Sequence, residues 1–298
     1  MRQEQDLTPV KVQSASPRPG PTKGLIGIAL LFLAALNAPT QAASSQTSAW
    51  VKGEKSRVRL ISEGGLTAGA YLLGIEIELE GQALTYWRTP GEAGIAPHFQ
   101  FTQSKNLADS QVYYPAPRRI LEAGIEAWGY QGRVIFPVKI MPQLVAQPVA
   151  IDLQLSYAVC ENICIPAQAH LQMELSPSTQ TQTQTSPLTL AWQNRPLPVS
   201  AQDLVSITPL PSTTPLPSNT PRPQWRVEMK NKNESVEDLF AEGPEGWYFD
   251  TVRVSDEAFT LTLAEKPAAG SFPIKDVMLT LVRPDRSYEL RLELTNPR

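Results

Sequence analysis

Between residues 56 and 175 apolar and polar side chains alternate repeatedly, and a period of two commits that segment to half-buried strands rather than helices. The alternation is most complete from Val149 to Cys160, where Val149, Ile151, Leu153, Leu155, Tyr157 and Val159 share one face. Cys160 ends the run on the opposite face, with Asp152, Gln154 and Ser156. The pattern resumes from Ala167 to Leu175, with Ala169, Leu171 and Met173 apolar and Gln168, His170 and Gln172 polar. Earlier, Leu73, Ile75, Ile77 and Leu79 oppose Glu76, Glu78 and Glu80, three carboxylates expected on a solvated strand face. One apolar face per strand needs a second sheet to cover it. Turn residues at Gly64, Gly65, Pro90, Gly91, Pro115, Pro117 and Pro137 are spaced as in an antiparallel sandwich. Only 104–110 and 118–123 read as short helical turns.

The chain has two cysteines in 298 residues, and the strand parity says where they go. Carrying the parity of Ala167–Leu175 back to Cys164 puts it on the same polar face as Cys160; if the three residues Glu161, Asn162 and Ile163 form the hairpin loop, the cysteines flank it as opposed residues. Opposed strand residues have Cα atoms roughly 4.5 to 5.5 Å apart, inside the range a disulfide accepts. A cross-strand bond closing so tight a loop is expected to be strained and readily reduced. As a staple it is a poor investment, because closing about five residues removes only ~2 kcal/mol of chain entropy. Three uses of the pair stand: thiol-disulfide exchange, a structural staple, and Cu(I) binding by two thiolates. His170 and Met173 are tempting additions to a copper site, but six residues of strand separate His170 from Cys164 by about 20 Å. His170 therefore reads as a solvated residue, and His98 is assigned no role. No Cys-x-x-Cys opens a helix, and Glu161 is a local acid that disfavours a thiolate, so exchange here needs a partner's thiolate as the attacking group.

The rest of the chain divides by composition. Residues 25–36 are an apolar run preceded by Arg18 and Lys23 and followed by the small residues Ala42 and Ala43, too short to span a bilayer. Residues 1–43 thus read as a signal peptide and the product as exported, with an uncleaved membrane anchor as the weaker alternative. Residues 176–223 are rich in Pro, Ser and Thr, with six prolines between Pro209 and Pro223. That composition reads as a linker around a small apolar island at Leu188–Trp192. From 224 to 298 five short strands are expected, at Trp225–Met229, Trp247–Asp250, Ala258–Ala264, Val277–Val282 and Tyr288–Leu294, which together make a second, smaller β domain. Against 26 Lys and Arg stand 29 Asp and Glu, a balance that leaves no electrostatic footprint for nucleic acid. No glycine-rich phosphate loop, nucleophile elbow or His-Glu-x-x-His motif is present, and no cofactor is called for.

The segment Tyr157-Ala-Val-Cys160-Glu-Asn-Ile-Cys164-Ile-Pro166, with Thr85-Tyr-Trp-Arg-Thr-Pro-Gly91 and Gly124–Tyr130 before it, resembles the periplasmic N-terminal domain of the disulfide reductase DsbD, and more closely its ScsB-like relatives. The resemblance covers 56–175 and extends weakly to 239–249. It implies an all-β, immunoglobulin-like antiparallel sandwich over 44–175. It also implies a periplasmic electron-transfer role, accepting electrons from a membrane-embedded disulfide reductase and passing them to thioredoxin-fold proteins. By the same resemblance Cys164 forms the mixed disulfide with partners and Cys160 resolves it, and Tyr86 and Trp87 are candidates for an aromatic cap over the pair. The 298 residues hold neither a multi-helix membrane domain nor a thioredoxin domain, so the donor is expected to be a separate protein. An enzymatic role would be that of a protein-disulfide reductase component. The reading from a different class is a non-catalytic exported β-sandwich binding module with a static disulfide.

Overall fold

The structure, a computed structural model, describes residues 46–91, 94–122, 124–177, 186–211, 222–231 and 235–296; the expected signal peptide lies outside them. Two six-stranded sheets form the first sandwich. One runs in the order Gln46–Thr47, Ser56–Ser62, Tyr71–Leu79, Arg133–Pro142 and Leu107–Val112, with Val51–Gly53 paired to Ser56–Ser62. The other runs Cys164–Leu175, Val149–Cys160, Leu84–Gly91, Ile125–Gln131 and Arg118–Glu122, with His98–Gln100 paired to Val149–Cys160. The fold is all-β and immunoglobulin-like, as the alternation and the resemblance led us to expect. Leu73, Ile75, Ile77, Leu153 and Leu155 meet between the sheets, almost fully buried with Trp87, Phe136 and Trp128.

Three local expectations change. Leu107–Val112 and Arg118–Glu122 are strands and not helical turns. Each pairs antiparallel with a longer neighbour, Arg133–Pro142 or Ile125–Gln131, which draws a short polar stretch into the sheet whatever its own propensity. Glu76 is not solvated: it is fully buried, bonded to the Arg59 Nε at 2.6 Å and to Arg133. Trp50 lies over the guanidinium groups of Arg57 and Arg59 and helps to close that face.

The third difference concerns the expected linker. Ser186 caps a helix at Pro187–Gln193, accepting hydrogen bonds from the Leu188 and Thr189 N–H groups. Leu188 then buries itself against Ile61 and Ile135 on the outside of the first sheet. Farther on, Leu197–Ser200 pairs in parallel with Ser287–Leu294, and Val205–Leu210 pairs with Gln224–Met229. Residues 197–210 therefore supply one strand to each sheet of the second sandwich. Its sheets run Leu197–Ser200, Ser287–Leu294, Ile274–Val282, Asp238–Glu242 and Val205–Leu210, Gln224–Met229, Ala258–Glu265, Tyr248–Ser255. Isolated segments of this composition could not offset their ordering entropy, but each gains a preformed sheet edge or face to pack on.

The two sandwiches share a joint. Phe240 of the second belongs to the core of the first, with its ring centroid 5.8 Å from that of Trp87 and 5.1 Å from that of Trp128. Arg88 donates to both Glu242 carboxylate oxygens, from Nε at 2.9 Å and Nη2 at 2.6 Å, and pairs with Glu289 at 2.7 Å. Burial works against the Arg88 charge, but hydrogen bonds and fields from Glu242 and Glu289 outweigh it and raise its pKa above the ordinary value. Arg119 donates from Nε to Asp238 at 2.9 Å and from Nη2 to the Leu239 carbonyl at 2.9 Å. Replacing Phe240 by Ala is expected to cost about 3–5 kcal/mol of folding stability. Urea unfolding should show this as a lower midpoint, whereas Val252→Ala, at a position 61% exposed, should stay within about 0.5 kcal/mol of wild type.

Candidate functional site

The cysteine hairpin takes a register consistent with the strand parity. Val149–Cys160 and Cys164–Leu175 pair without a slip from Val149↔Leu175 to Cys160↔Cys164. The two sulfurs are bonded at 2.10 Å, with Cα atoms 4.1 Å apart. The two cysteines are not equivalent, however. Cys160 is fully buried, whereas Cys164 is exposed and follows Ile163, which is 75% exposed at the loop.

Cys160 is buried because the outer face of this sheet is not polar at the hairpin end. The Leu84–Gly91 strand runs beside it, with Leu84 opposite Cys160. Leu84, Tyr86, Ala127, Ala158 and Cys160 form a small apolar cluster of their own, with Ile120 at its margin. The Thr85 hydroxyl donates to the Ala158 carbonyl at 2.9 Å and fastens the two strands side by side. The Tyr86 hydroxyl donates to the Cys160 Sγ at 2.8 Å and lies 3.2 Å from the Cys164 Sγ. Gly94 passes close over the Tyr86 ring: a Cβ there would come within 2.6 Å of its Cδ1 and 2.3 Å of the Pro90 Cβ. Only glycine permits that approach.

The two expected cap aromatics therefore have different positions. Tyr86 lies on the sulfurs. Trp87, the next residue of the strand, faces the interior and packs against Trp128 and Phe240, because successive strand residues point to opposite faces. Glu161, the acid beside the pair, forms an ion pair with Lys55 and accepts the Gln82 N–H at 3.3 Å. Lys55 compensates the negative field that Glu161 would otherwise cast on the loop. This neighbour, 106 residues away in sequence, carries no local sign of its role. His170 is exposed and bonds the Asp152 carboxylate at 2.8 Å. Hydrogen bonds from Gln172 and His170 hold the Asp152 carboxyl below its ordinary value. Among the described residues no cluster of three or more His, Cys, Asp or Glu is placed to hold a metal ion. In the bonded form the two cysteines offer no thiolate to Cu(I).

Comparison with known proteins bears on this geometry. Residues 61–176 match the family model of the N-terminal domain of thiol:disulfide interchange protein DsbD. The chain also superposes on the N-terminal periplasmic domain of ScsB from Proteus mirabilis with a TM-score of 0.64 at 18% identity. That match covers 85% of this chain and 100% of the other, a span that takes in both sandwiches. No curated protein sequence matches the chain. Through its sequence over residues 61–176 and through its fold over most of its length, the chain resembles the N-terminal domains of DsbD and ScsB.

Proposed function

We propose that this chain is a periplasmic thiol-disulfide interchange protein. It relays electrons from a membrane-embedded disulfide reductase to oxidised thioredoxin-fold or client proteins through Cys160 and Cys164. The observation that carries this reading is the asymmetry of the disulfide: one sulfur exposed at a loop, the other buried beneath a tyrosine hydroxyl. The match of residues 61–176 to a thiol:disulfide interchange domain supports it. Residues 1–43 act as the export signal. Residues 44–175 form the exchange domain, and the second sandwich draws on 197–210 as well as 224–298.

The chemistry follows from which sulfur an incoming group can reach. A donor thiolate attacks the Cys164 Sγ, the S–S bond breaks, and the electron pair leaves on the Cys160 Sγ as a thiolate. The Tyr86 hydroxyl is already aimed at that sulfur and stabilises the charge as it develops. The donor's second thiol, as its thiolate, attacks the mixed disulfide at its own sulfur. It releases the Cys164 thiolate and leaves the donor oxidised and this protein a dithiol. In the outward half-reaction the Cys164 thiolate attacks the disulfide of an oxidised partner. Cys160 then resolves the mixed disulfide, so the two electrons move on and the bond at Cys160 and Cys164 re-forms. Lys55 keeps Glu161 paired while the thiolates form. The Tyr86 ring covers Cys160 and directs partners to Cys164.

Single-cysteine variants test the relay. With Cys160→Ala, the remaining Cys164 should accumulate a mixed disulfide with a thioredoxin-fold partner in periplasmic extracts, identified by mass spectrometry. With Cys164→Ala, the buried Cys160 should trap far less. If neither variant captures a partner and the wild-type pair is always oxidised in cells, the binding-module reading replaces this one. The Tyr86 hydroxyl has a separate test. Tyr86→Phe keeps the ring but removes the donor, and reduction of the disulfide by dithiothreitol should slow by roughly tenfold or more, the worth of a hydrogen bond to a charged atom. A rate equal to wild type would leave Tyr86 with a packing role alone.

A further inference from the structure

At the end of the first sandwich away from the cysteine hairpin, a cavity of about 570 Å3 opens beside the Pro187–Gln193 helix. That volume is within the range of small-molecule sites. Tyr71, in its wall, begins the strand that ends at Leu79, shortly before Gln82 bonds the cysteine loop at Glu161. Eight residues of strand thus set the cavity roughly 26 Å from the hairpin turn.

Its walls are held in place by packing. Leu188 anchors the helix on Ile61 and Ile135, and one turn later Trp192 meets Tyr113 edge-on with ring centroids 5.0 Å apart. The Arg195 guanidinium stacks on Trp192 at 3.7 Å and donates to the Trp192 carbonyl at 2.5 Å. Leu72 and Lys139, paired across neighbouring strands, also line the space, and a loop containing Gly64 and Gly65 closes the far side.

The charges and polar groups in these walls are unevenly matched. Glu63 is committed to the helix, accepting the Thr189 N–H at 2.9 Å and its hydroxyl at 2.6 Å. Among the described residues neither Lys139 nor Arg195 has a carboxylate partner. Tyr71 begins the strand at this wall, but its side chain turns into the core between the sheets with Leu73 and Ile140, so the polar groups on the cavity side are those of Lys139 and Arg195. Two cations without a carboxylate partner beside an aromatic wall match a ligand with a planar apolar body and one anionic group.

We propose that this cavity binds a small aromatic carboxylate. Its ring packs against Trp192 and Tyr113, and its carboxylate pairs with Lys139 and Arg195. The site is independent of exchange at the cysteines, so it stands or falls apart from the relay. Saturation-transfer NMR on the full chain, titrating indole-3-acetate and its neutral analogue indole-3-acetamide, tests it. The acid should bind saturably and the amide at least about tenfold more weakly, the consequence of losing charged hydrogen bonds. Lys139→Met, and separately Arg195→Met, should each weaken the acid by about tenfold or more. Lys139→Met should leave the thermal midpoint unchanged, because that side chain is half-buried and has no carboxylate partner; Arg195→Met also removes the contact with Trp192, so the lysine variant is the deciding one. The Cys160→Ala variant should bind as wild type. Absence of saturable binding, equal affinity for acid and amide, or undiminished affinity in Lys139→Met would each overturn the proposal.

Discussion

The unbroken pairing of Val149–Cys160 with Cys164–Leu175 is the constraint on which the site depends. Because side chains alternate with a strict period of two, burying Leu153 and Leu155 excludes any slip by an odd number of residues, which would put the whole apolar set into solvent. The observed register brings Cys160 opposite Cys164 across a three-residue loop. Core burial thus fixes the face on which the disulfide lies, and the three-residue loop fixes which residues are opposed.

Beside it, the Leu84–Gly91 strand joins the site to the rest of the molecule. Its consecutive residues serve different neighbours: Tyr86 reaches the sulfurs, Trp87 packs on Phe240, and Arg88 pairs with Glu242 and Glu289 of the second sandwich. The second sandwich is thus tied to the same strand that shields the disulfide. A strand held on one face by a shared aromatic core and along its length by ion pairs has little freedom to lift its tyrosine off Cys160. The proposed relay gains from that rigidity, because only the exposed Cys164 remains open to a partner.

Much of this architecture could be read from the order of residues. The alternation at Tyr71–Leu79 and Val149–Leu175 identified the strands, their inward faces and the shared face of the cysteines. The five strands expected after Trp225 form, one reaching on to Ser255 and another starting earlier at Ile274, and Asp238–Glu242 is a further strand beyond those expected. What could not be read belongs to residues whose environment is made by distant segments. Glu76 looks like any solvated strand carboxylate until Arg59, Arg133 and Trp50 close over it. Leu188 and Trp192 sit in a polar, proline-rich stretch, and only the outer face of the first sheet gives them a place to pack. Leu197–Ser200 and Val205–Leu210 are too short and too rich in proline to declare themselves as strands before a sheet edge receives them.

The sequence by itself determined the all-β class, the faces of the strands and the shared face of Cys160 and Cys164, because each follows from a local period of two. The tertiary structure decided the difference between the two sulfurs. Parity put both on the same face, but the burial of one depends on Leu84, Tyr86 and Ala127 arriving from other strands. It also separated Tyr86 from Trp87, adjacent in sequence but on opposite sides of a sheet whose two faces meet different neighbours. Burial is a property of the assembled surfaces, and no local pattern records which distant side chains will cover a given face.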